Sequence, residues 1–511
     1  MKAINFRNAG LLIPPVIVLC LSVVGWGVRT AECKTRVVVA QGVEPTVLDP
    51  DMHRENSTNN VILHIYDALL ERDSNEKIQP DLAESWKIID DKTLEFKLRK
   101  GIAFSNGEPF DAKVVKYNYE RVAGLLPGAK KTKNSRDFKS IGEVQIIDEN
   151  TVRLVTKYPD PLLLSYACTK YMVPIEYTKK DNFEKLATKP VGTGPYLLES
   201  WMKGGELVLV AKKDYWKGTP KIDEVVFRPI PEDATRIAEL QVGSVDIVAN
   251  LKPDNVSEVQ ENQDLEVKFV PSVRVAAVWI NALMDKLKDS RVRKAVNYAI
   301  DVKSLIENVM GGNGYRVSTV APNSFIGWDP EEQFYPYDPQ KAKQLLKEAG
   351  YPDGFEATIL TPRGRYLNDV QACEAIAGML TKVGIKTRVE AVEFGVFAKK
   401  TQAHEMPEFM YAAWGNSQFD VWDMINTCVR SGAMFSWYKN DKVDEYIDQA
   451  ARTIDPQKHS QYLQMALREM WADPPFAFLY QQRDIYGVNK RLVWEPRSDE
   501  DINLSGAYLK K

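Results

Sequence analysis

The sequence predicts a mixed α/β protein made of more than one domain, and three observations carry that reading. At 511 residues, a prior of roughly 150 residues per domain gives about three domains. Before residue 270 the texture is β-rich, with apolar runs such as Arg36-Val-Val-Val-Ala40 and alternating runs such as Leu94-Glu-Phe-Lys-Leu-Arg99. From about residue 288 apolar residues recur at helical spacing instead, until Phe476-Ala-Phe-Leu-Tyr480 returns the chain to an extended run and a polar tail.

The elements follow in order. The unbroken valines of 36–40 suit a strand covered on both faces, and Glu44-Pro-Thr-Val-Leu-Asp-Pro50 is a loop. Residues 94–99 and 151–157 alternate as half-buried antiparallel strands do. Strands are expected within 206–211, 224–227 and 245–248, with a helix over 233–242 and a turn at Lys217-Gly-Thr-Pro220. Asp338-Pro339 is an N-cap followed by proline at the first helical position. Ala342, Leu345, Leu346 and Ala349 share one face, and Gly350 supplies the left-handed stop. Similar stripes predict helices over 290–309, 369–383, 442–453 and 457–472, with strands at 357–360 and 387–392 between them.

Charge and cysteine content exclude several functions. Sixty-seven Lys+Arg face 70 Asp+Glu, with both signs interspersed, so no basic field exists to follow a nucleic-acid backbone. Lys2 and Arg7 precede an uncharged run from Leu11 to Val28, and Ala31-Glu32-Cys33 offers small residues at a cleavage point. This is the pattern of an export signal over 1–33; an uncleaved anchor is the alternative. Cys168, Cys373 and Cys428 then remain, without C-x-x-C spacing, which leaves three thiols or one long-range bridge.

Catalytic and metal patterns fail in turn. The four histidines, at 53, 64, 404 and 459, lack local ligand spacing, so no metal and no cofactor is expected. Met310-Gly-Gly-Asn-Gly-Tyr315 follows a helix instead of opening one, and Gly192-Thr-Gly-Pro-Tyr196 has neither the lysine of a phosphate loop nor the serine of a nucleophile elbow; both read as turns. Pairs such as Asp420/Asp423 suit acid–base work, but chance produces them readily among 70 acids.

Eight stretches, in order, resemble the solute-binding proteins of peptide, opine and nickel ABC importers, the dipeptide- and oligopeptide-binding type of solute-binding family 5. They are Pro45–Pro50, Tyr66–Leu70, Pro80–Trp86, Thr93–Phe110, Gly192–Tyr196, Tyr215–Trp216, Asp289–Asp301 and Asp338–Tyr351. The likeness covers essentially the whole chain after the export segment. Departures fall in scaffold: Val114 replaces a usual acidic residue, and Ser105-Asn106 replaces a common His-Asp.

The resemblance implies a two-lobed periplasmic-binding-protein type II-like fold that closes over a ligand. Lobe 1 would comprise 34–56, 187–270 and 482–511, with an extra antiparallel domain inserted at 57–186, and lobe 2 would comprise 271–481. It implies a monomeric periplasmic receptor, tethered if the export segment is retained. That receptor would hand a small molecule or peptide to membrane permease subunits. An exported hydrolase using cleft carboxylates is the alternative. The segment Trp414-Gly-Asn-Ser-Gln-Phe-Asp420 matches the loop that holds a ligand ammonium, making Asp420 the implied partner, with Asp423 open on register and Trp414 and Asn416 beside it. Arg365, followed by Tyr366, occupies the place of a carboxylate-binding arginine, which can grip a carboxylate with two parallel hydrogen bonds. Glu44, after the first strand, is expected at the cleft edge. Trp422 and Trp437 are either aromatic walls or partly buried core. A nickel chelate, an opine or a sugar stays open beside a peptide as the ligand.

Overall fold

The computed structural model describes residues 34–127, 131–180 and 184–510, with no account of the Lys180 side chain; the expected export segment therefore lies outside the described residues. Among the described residues one mixed sheet of 11 strands runs through both lobes, ten along one path and the eleventh, Gly314–Arg316, paired beside it to Phe476–Asn489. Its first-lobe half is, in order, Tyr196–Trp201, Leu207–Ala211, Glu224–Pro229, Arg36–Gln41 and Ile247–Val248. Its second-lobe half is Phe409–Gly415, Phe355–Pro362 and Ile385–Val392. Two long antiparallel strands, Leu265–Ile280 and Phe476–Asn489, lie between the halves and belong to both.

The opening strand behaves as its valines demand. Val37 and Val39 enter one core with Ile62, Leu209 and Phe227, while Val38 and Ala40 enter another with Leu240 and Val248. Parallel pairing to Glu224–Pro229 on one side and Ile247–Val248 on the other leaves both faces for burial. In the second lobe two further cores cover the sheet. A separate four-stranded antiparallel sheet, ordered Ala83–Asp90, Thr93–Leu98, Thr151–Thr156, Ile141–Asp148, packs its apolar face on the helix Ala112–Val122.

Local chemistry explains the boundaries. Asp338 accepts from the Lys341 amide to start the helix Pro339–Glu348, and Gly350, at φ 91°, stops it. The stripe expected over 290–309 is two helices, Ser290–Ala299 and Val302–Asn308, because extended Ile300 breaks the first and Asp301 caps the second through the Ser304 amide. The extended run at 476–480 continues to Asn489. At Gly192 and Gly194 the chain passes so close to Ile65 that an added Cβ at Gly192 would lie 2.0 Å from the Ile65 carbonyl oxygen. The glycine motif is thus a backbone crossing, and Gly194 N–H donates to that same oxygen at 2.9 Å.

The loop after the opening strand is fixed by a buried four-charge cluster. Arg121, on the helix Ala112–Val122, lies 2.5 Å from Asp49 and 3.1 Å from Asp51, and Lys170 lies 3.2 Å from Asp51. Two acids and two bases cancel, so the charges are buried only as mutual partners. Cys168, Cys373 and Cys428 are free thiols, not a bridge; burial pushes Cys168 and Cys373 up to about 12 and raises Cys428 well above the ordinary thiol value.

Candidate functional site

The two crossing strands lose their register where the lobes meet. Pro271 faces Arg483 and Val275 faces Gln481, so three residues, Ser272 to Arg274, stand against one across the ladder. The bulge turns polar groups toward Glu500, whose carboxylate accepts from Ser272 Oγ at 3.1 Å and Asn56 Nδ2 at 2.5 Å and pairs with Arg274 Nη2 at 3.2 Å. Asp484 is buried beside them. Burial, reinforced by the like charge of Glu500, pushes its carboxyl up to about 7.

Arg365 reaches the same neighbourhood from the second lobe. Its loop follows the strand Phe355–Pro362 and is pinned by Asp369, which accepts from the amides of Gly364, Arg365 and Tyr366 at 3.0, 2.9 and 3.1 Å. The guanidinium lies over Tyr366 at 5.5 Å and Phe394 at 5.4 Å from the ring centroids. Burial and then the positive charge of Arg274 lower its pKa. Among the described residues the Arg365 guanidinium makes no hydrogen bond. Tyr366 packs edge-on against Tyr411 at 6.2 Å.

The expected Trp-Gly loop is held at several points by the fold itself. Trp414 is half-buried against Trp279 and Phe435, with its indole N–H buried and unpartnered. Trp437 is core, and Trp422 donates to the Ile447 carbonyl. Asn416, expected as a ligand contact, is buried: its amide nitrogen donates to the Asp420 carbonyl at 2.6 Å and its backbone N–H to Val273 at 3.2 Å, so it shapes the loop. Asp420, expected to hold an ammonium, has both oxygens engaged. Oδ1 accepts from the Trp422 amide at 2.9 Å, capping the helix Val421–Cys428, and Oδ2 lies 2.9 Å from His459 Nε2. Asp420 thus also ties this loop to His459 within the fold. Asp423 is half-buried; burial raises its pKa, while Arg136 acts in the opposite direction. Glu44 accepts from the Gly204 amide at 2.9 Å and thus serves a hairpin of the first lobe.

A cavity of about 420 Å³ opens where the lobes face each other, lined among others by His53, Asn59, Arg72 and Asp501 from one side and Ser417 and Gln418 from the other. None of the six expected residues lines it. Arg72 closes one end: its guanidinium donates to the Gln418 carbonyl at 2.9 Å and lies 4.9 Å from the Phe419 centroid. The residues Arg497 to Asp501 were legible only as part of a polar tail, and Arg72 and Arg274 carried no signal beyond their charge. Among the described residues no helix is long and apolar enough to cross a membrane, and no cluster of three metal-ligating side chains occurs.

Known proteins are similar along nearly the whole chain. Glutathione-binding proteins GsiB from Shigella flexneri and from Escherichia coli K12 are each 29% identical, the match spanning 89% of this chain and 91% of the relative. The structure of HbpA2 from Haemophilus parasuis superposes with a TM-score of 0.85 at 22% identity, over 93% of this chain and 100% of that one. The periplasmic binding protein DppA from Helicobacter pylori, in complex with the peptide STSA, gives 0.76 at 25% identity, over 94% and 98%. The model of the bacterial extracellular solute-binding proteins, family 5 (middle), matches residues 77–436. A two-lobed sheet crossed by two shared strands, an inserted antiparallel sheet and this match together identify the chain as a member of the bacterial extracellular solute-binding proteins of family 5.

Proposed function

We propose that the chain captures a small peptide-like solute bearing a carboxylate between its lobes and delivers it to the permease of an ABC importer. It would act as a monomer in the periplasm, after cleavage near residue 33. The observation that carries this reading is Arg365: a guanidinium stacked on two rings, without a hydrogen-bonding partner, within electrostatic reach of Arg274 at the joint between lobes. Such a group grips a carboxylate with two hydrogen bonds, and closure removes the water that would otherwise weaken them. Tyr366 and Phe394 supply aromatic surface beside it. Relatives named for glutathione, of nearly equal length, favour a peptide-like solute. Members of the family bind solutes, so binding, and not turnover, is the activity assigned.

The lobe limits follow the same reading, with 34–56, 187–270 and 482–511 forming lobe 1, 57–186 inserted in it, and 271–481 forming lobe 2. The ladder break between Pro271/Arg483 and Val275/Gln481 supports a hinge at those limits.

Titration calorimetry with glutathione and Ala-Ala tests the proposal. The parent is expected to bind at least one of them. Arg365→Ala should weaken that binding by about 2–5 kcal/mol, on the order of 30- to 5,000-fold. Unchanged affinity in Arg365→Ala rejects the carboxylate grip, and silence from the parent with both solutes rejects the peptide-like class.

A further inference from the structure

Two carboxyls at the joint between the lobes share one guanidinium. Arg274, in the bulge, is held by Glu500: its Nη2 lies 3.2 Å from Glu500 Oε1, and Ser272 Oγ and Asn56 Nδ2 donate to the same carboxylate at 3.1 and 2.5 Å. Asp484, on the strand Phe476–Asn489, is left poorly matched. It is 5% exposed, its Oδ1 accepts from Gln482 Nε2 at 3.1 Å, and its Oδ2 makes no hydrogen bond. Among the described residues no cation lies within ion-pair distance of it. A carboxyl so buried keeps its proton longer than one in water, and the charge of Glu500 acts the same way, pushing Asp484 up to about 7.

The surroundings add no compensating cation. Tyr486 lies beside the pair, with Asp499 and Asp501 beyond it, and Arg497 is committed to Asp499 at 2.5 Å. Tyr366 acts on Arg274 from the second lobe. Arg365 is the remaining charge in reach, and it feels both Arg274 and Glu500. Other acids with raised pKa values are placed elsewhere. Asp81 pairs with Lys217 at 2.7 Å, Glu76 with Arg497 at 3.6 Å, and Glu332 accepts from Ser318 and Thr319 in a second-lobe loop.

The charge count at the joint then decides what a solute does there. Arg274 and Arg365 balance Asp484 and Glu500 while both acids are ionised. A carboxylate docking at Arg365 leaves three negative charges against two positive ones in a buried setting, where an excess charge is costly. We propose that capture of the solute's carboxylate at Arg365 is linked to uptake of one proton from solvent by the Asp484–Glu500 pair. The proton is bound as a carboxyl O–H that belongs to the pair, and two charges of each sign remain. Acidic surroundings therefore tighten capture. The inference rests on the carboxylate grip proposed above and adds a pH response to it.

Calorimetry on the mature chain with glutathione and Ala-Ala at pH 7.0, in PIPES and in ACES, reads the proton from the difference in heat between buffers of unlike ionisation enthalpy. One added charge at roughly 12 Å in a medium of intermediate dielectric moves proton release by about one pH unit. The parent should then take up about 0.4 proton per solute, and its affinity should fall about 3-fold from pH 6.0 to 7.5. Asp484→Asn, which keeps the shape of the neutral acid, should bind with almost no uptake and a flat pH profile. Glu332→Gln should keep the uptake of the parent. Binding without uptake in the parent, uptake that survives Asp484→Asn, or uptake lost in Glu332→Gln overturns the proton link and leaves the carboxylate grip standing. If neither solute binds the parent, the peptide-like reading falls and this inference with it.

Discussion

His459 Nε2 lies 2.9 Å from Asp420 Oδ2, and His459 Nδ1 lies 2.8 Å from the Ala450 carbonyl oxygen. Both ring nitrogens therefore face acceptors, which only the doubly protonated imidazolium satisfies. Burial opposes that charge, but the hydrogen bond and charge of Asp420 outweigh it and hold the His459 pKa above the ordinary histidine value. The pair ties the helix Pro456–Ala472 to the first turn of the helix Val421–Cys428.

Asp420→Asn is accordingly expected to lower ligand-free stability by about 3 kcal/mol, the scale for breaking a buried pair. Because the folded pKa of His459 is raised, its contribution is complete below about pH 6.5 and is lost as pH rises through the folded value. Urea unfolding of the parent and His459→Gln between pH 5.5 and 8.5 checks the sign. The stability gap should narrow toward high pH; a gap that widens contradicts the assignment.

His64 acts in the opposite direction. Its Nδ1–H donates to the Asn60 carbonyl at 2.7 Å and its Nε2 accepts from the Leu504 amide at 3.1 Å, so the neutral ring is the bonded form. Burial pushes its pKa from 6.5 to about 4, and the unfolded chain binds the proton first. Acidification from 6.5 to 4 should cost the fold about 3 kcal/mol at this residue. Carboxyls held high by burial, such as Asp81 at about 8, change stability with the other sign. The difference between parent and His64→Gln is therefore the quantity to follow, and it should shrink as pH falls.

Gly192→Ala is expected to destabilise by about 3 kcal/mol, since its Cβ would meet the Ile65 backbone at 2.0 Å. Gly218→Ala, at φ 105° with nothing within 4 Å, should cost only about 1–2 kcal/mol through backbone strain. Equal melting temperatures for the two variants would show that the crossing of chains at Ile65 relaxes freely.

Arg72→Ala removes a charged hydrogen bond to the Gln418 carbonyl, worth about 2 kcal/mol, between the inserted sheet's lobe and the loop it faces. Small-angle scattering of the ligand-free variant should show a larger radius of gyration than the parent, with ligand abolishing the difference. Identical ligand-free curves would mean that this contact does not bias closure.

Much of the scaffold was legible because it is written locally. Asp338-Pro339, Gly350 and the valines of 36–40 each state a cap, a stop or a doubly covered strand within a few residues. The site was less so. Asp420 sits in the expected loop, yet its buried partner is His459, 39 residues away, and no local pattern links them. Asp501 and His53 meet Gln418 only through the fold, and the glycines at 192 and 194 were visible as a turn but not as a crossing over Ile65. Ile300 ended a helix that the apolar stripe alone would have continued.

The strand Phe476–Asn489 has a consequence for the order in which the molecule can be assembled. Among the described residues it alone joins the strand Leu265–Ile280 to Ile247–Val248, so until it is synthesised the sheet exists as two fragments with bare facing edges. A chain emerging from the ribosome can complete neither its central ladder nor the cores that ladder supports until residues 476–489 appear. Closing the sheet therefore waits on contacts between segments roughly 200 to 240 residues apart in the chain, the slow kind of pairing, and deletion of this one strand would leave two half-sheets with nothing to join them.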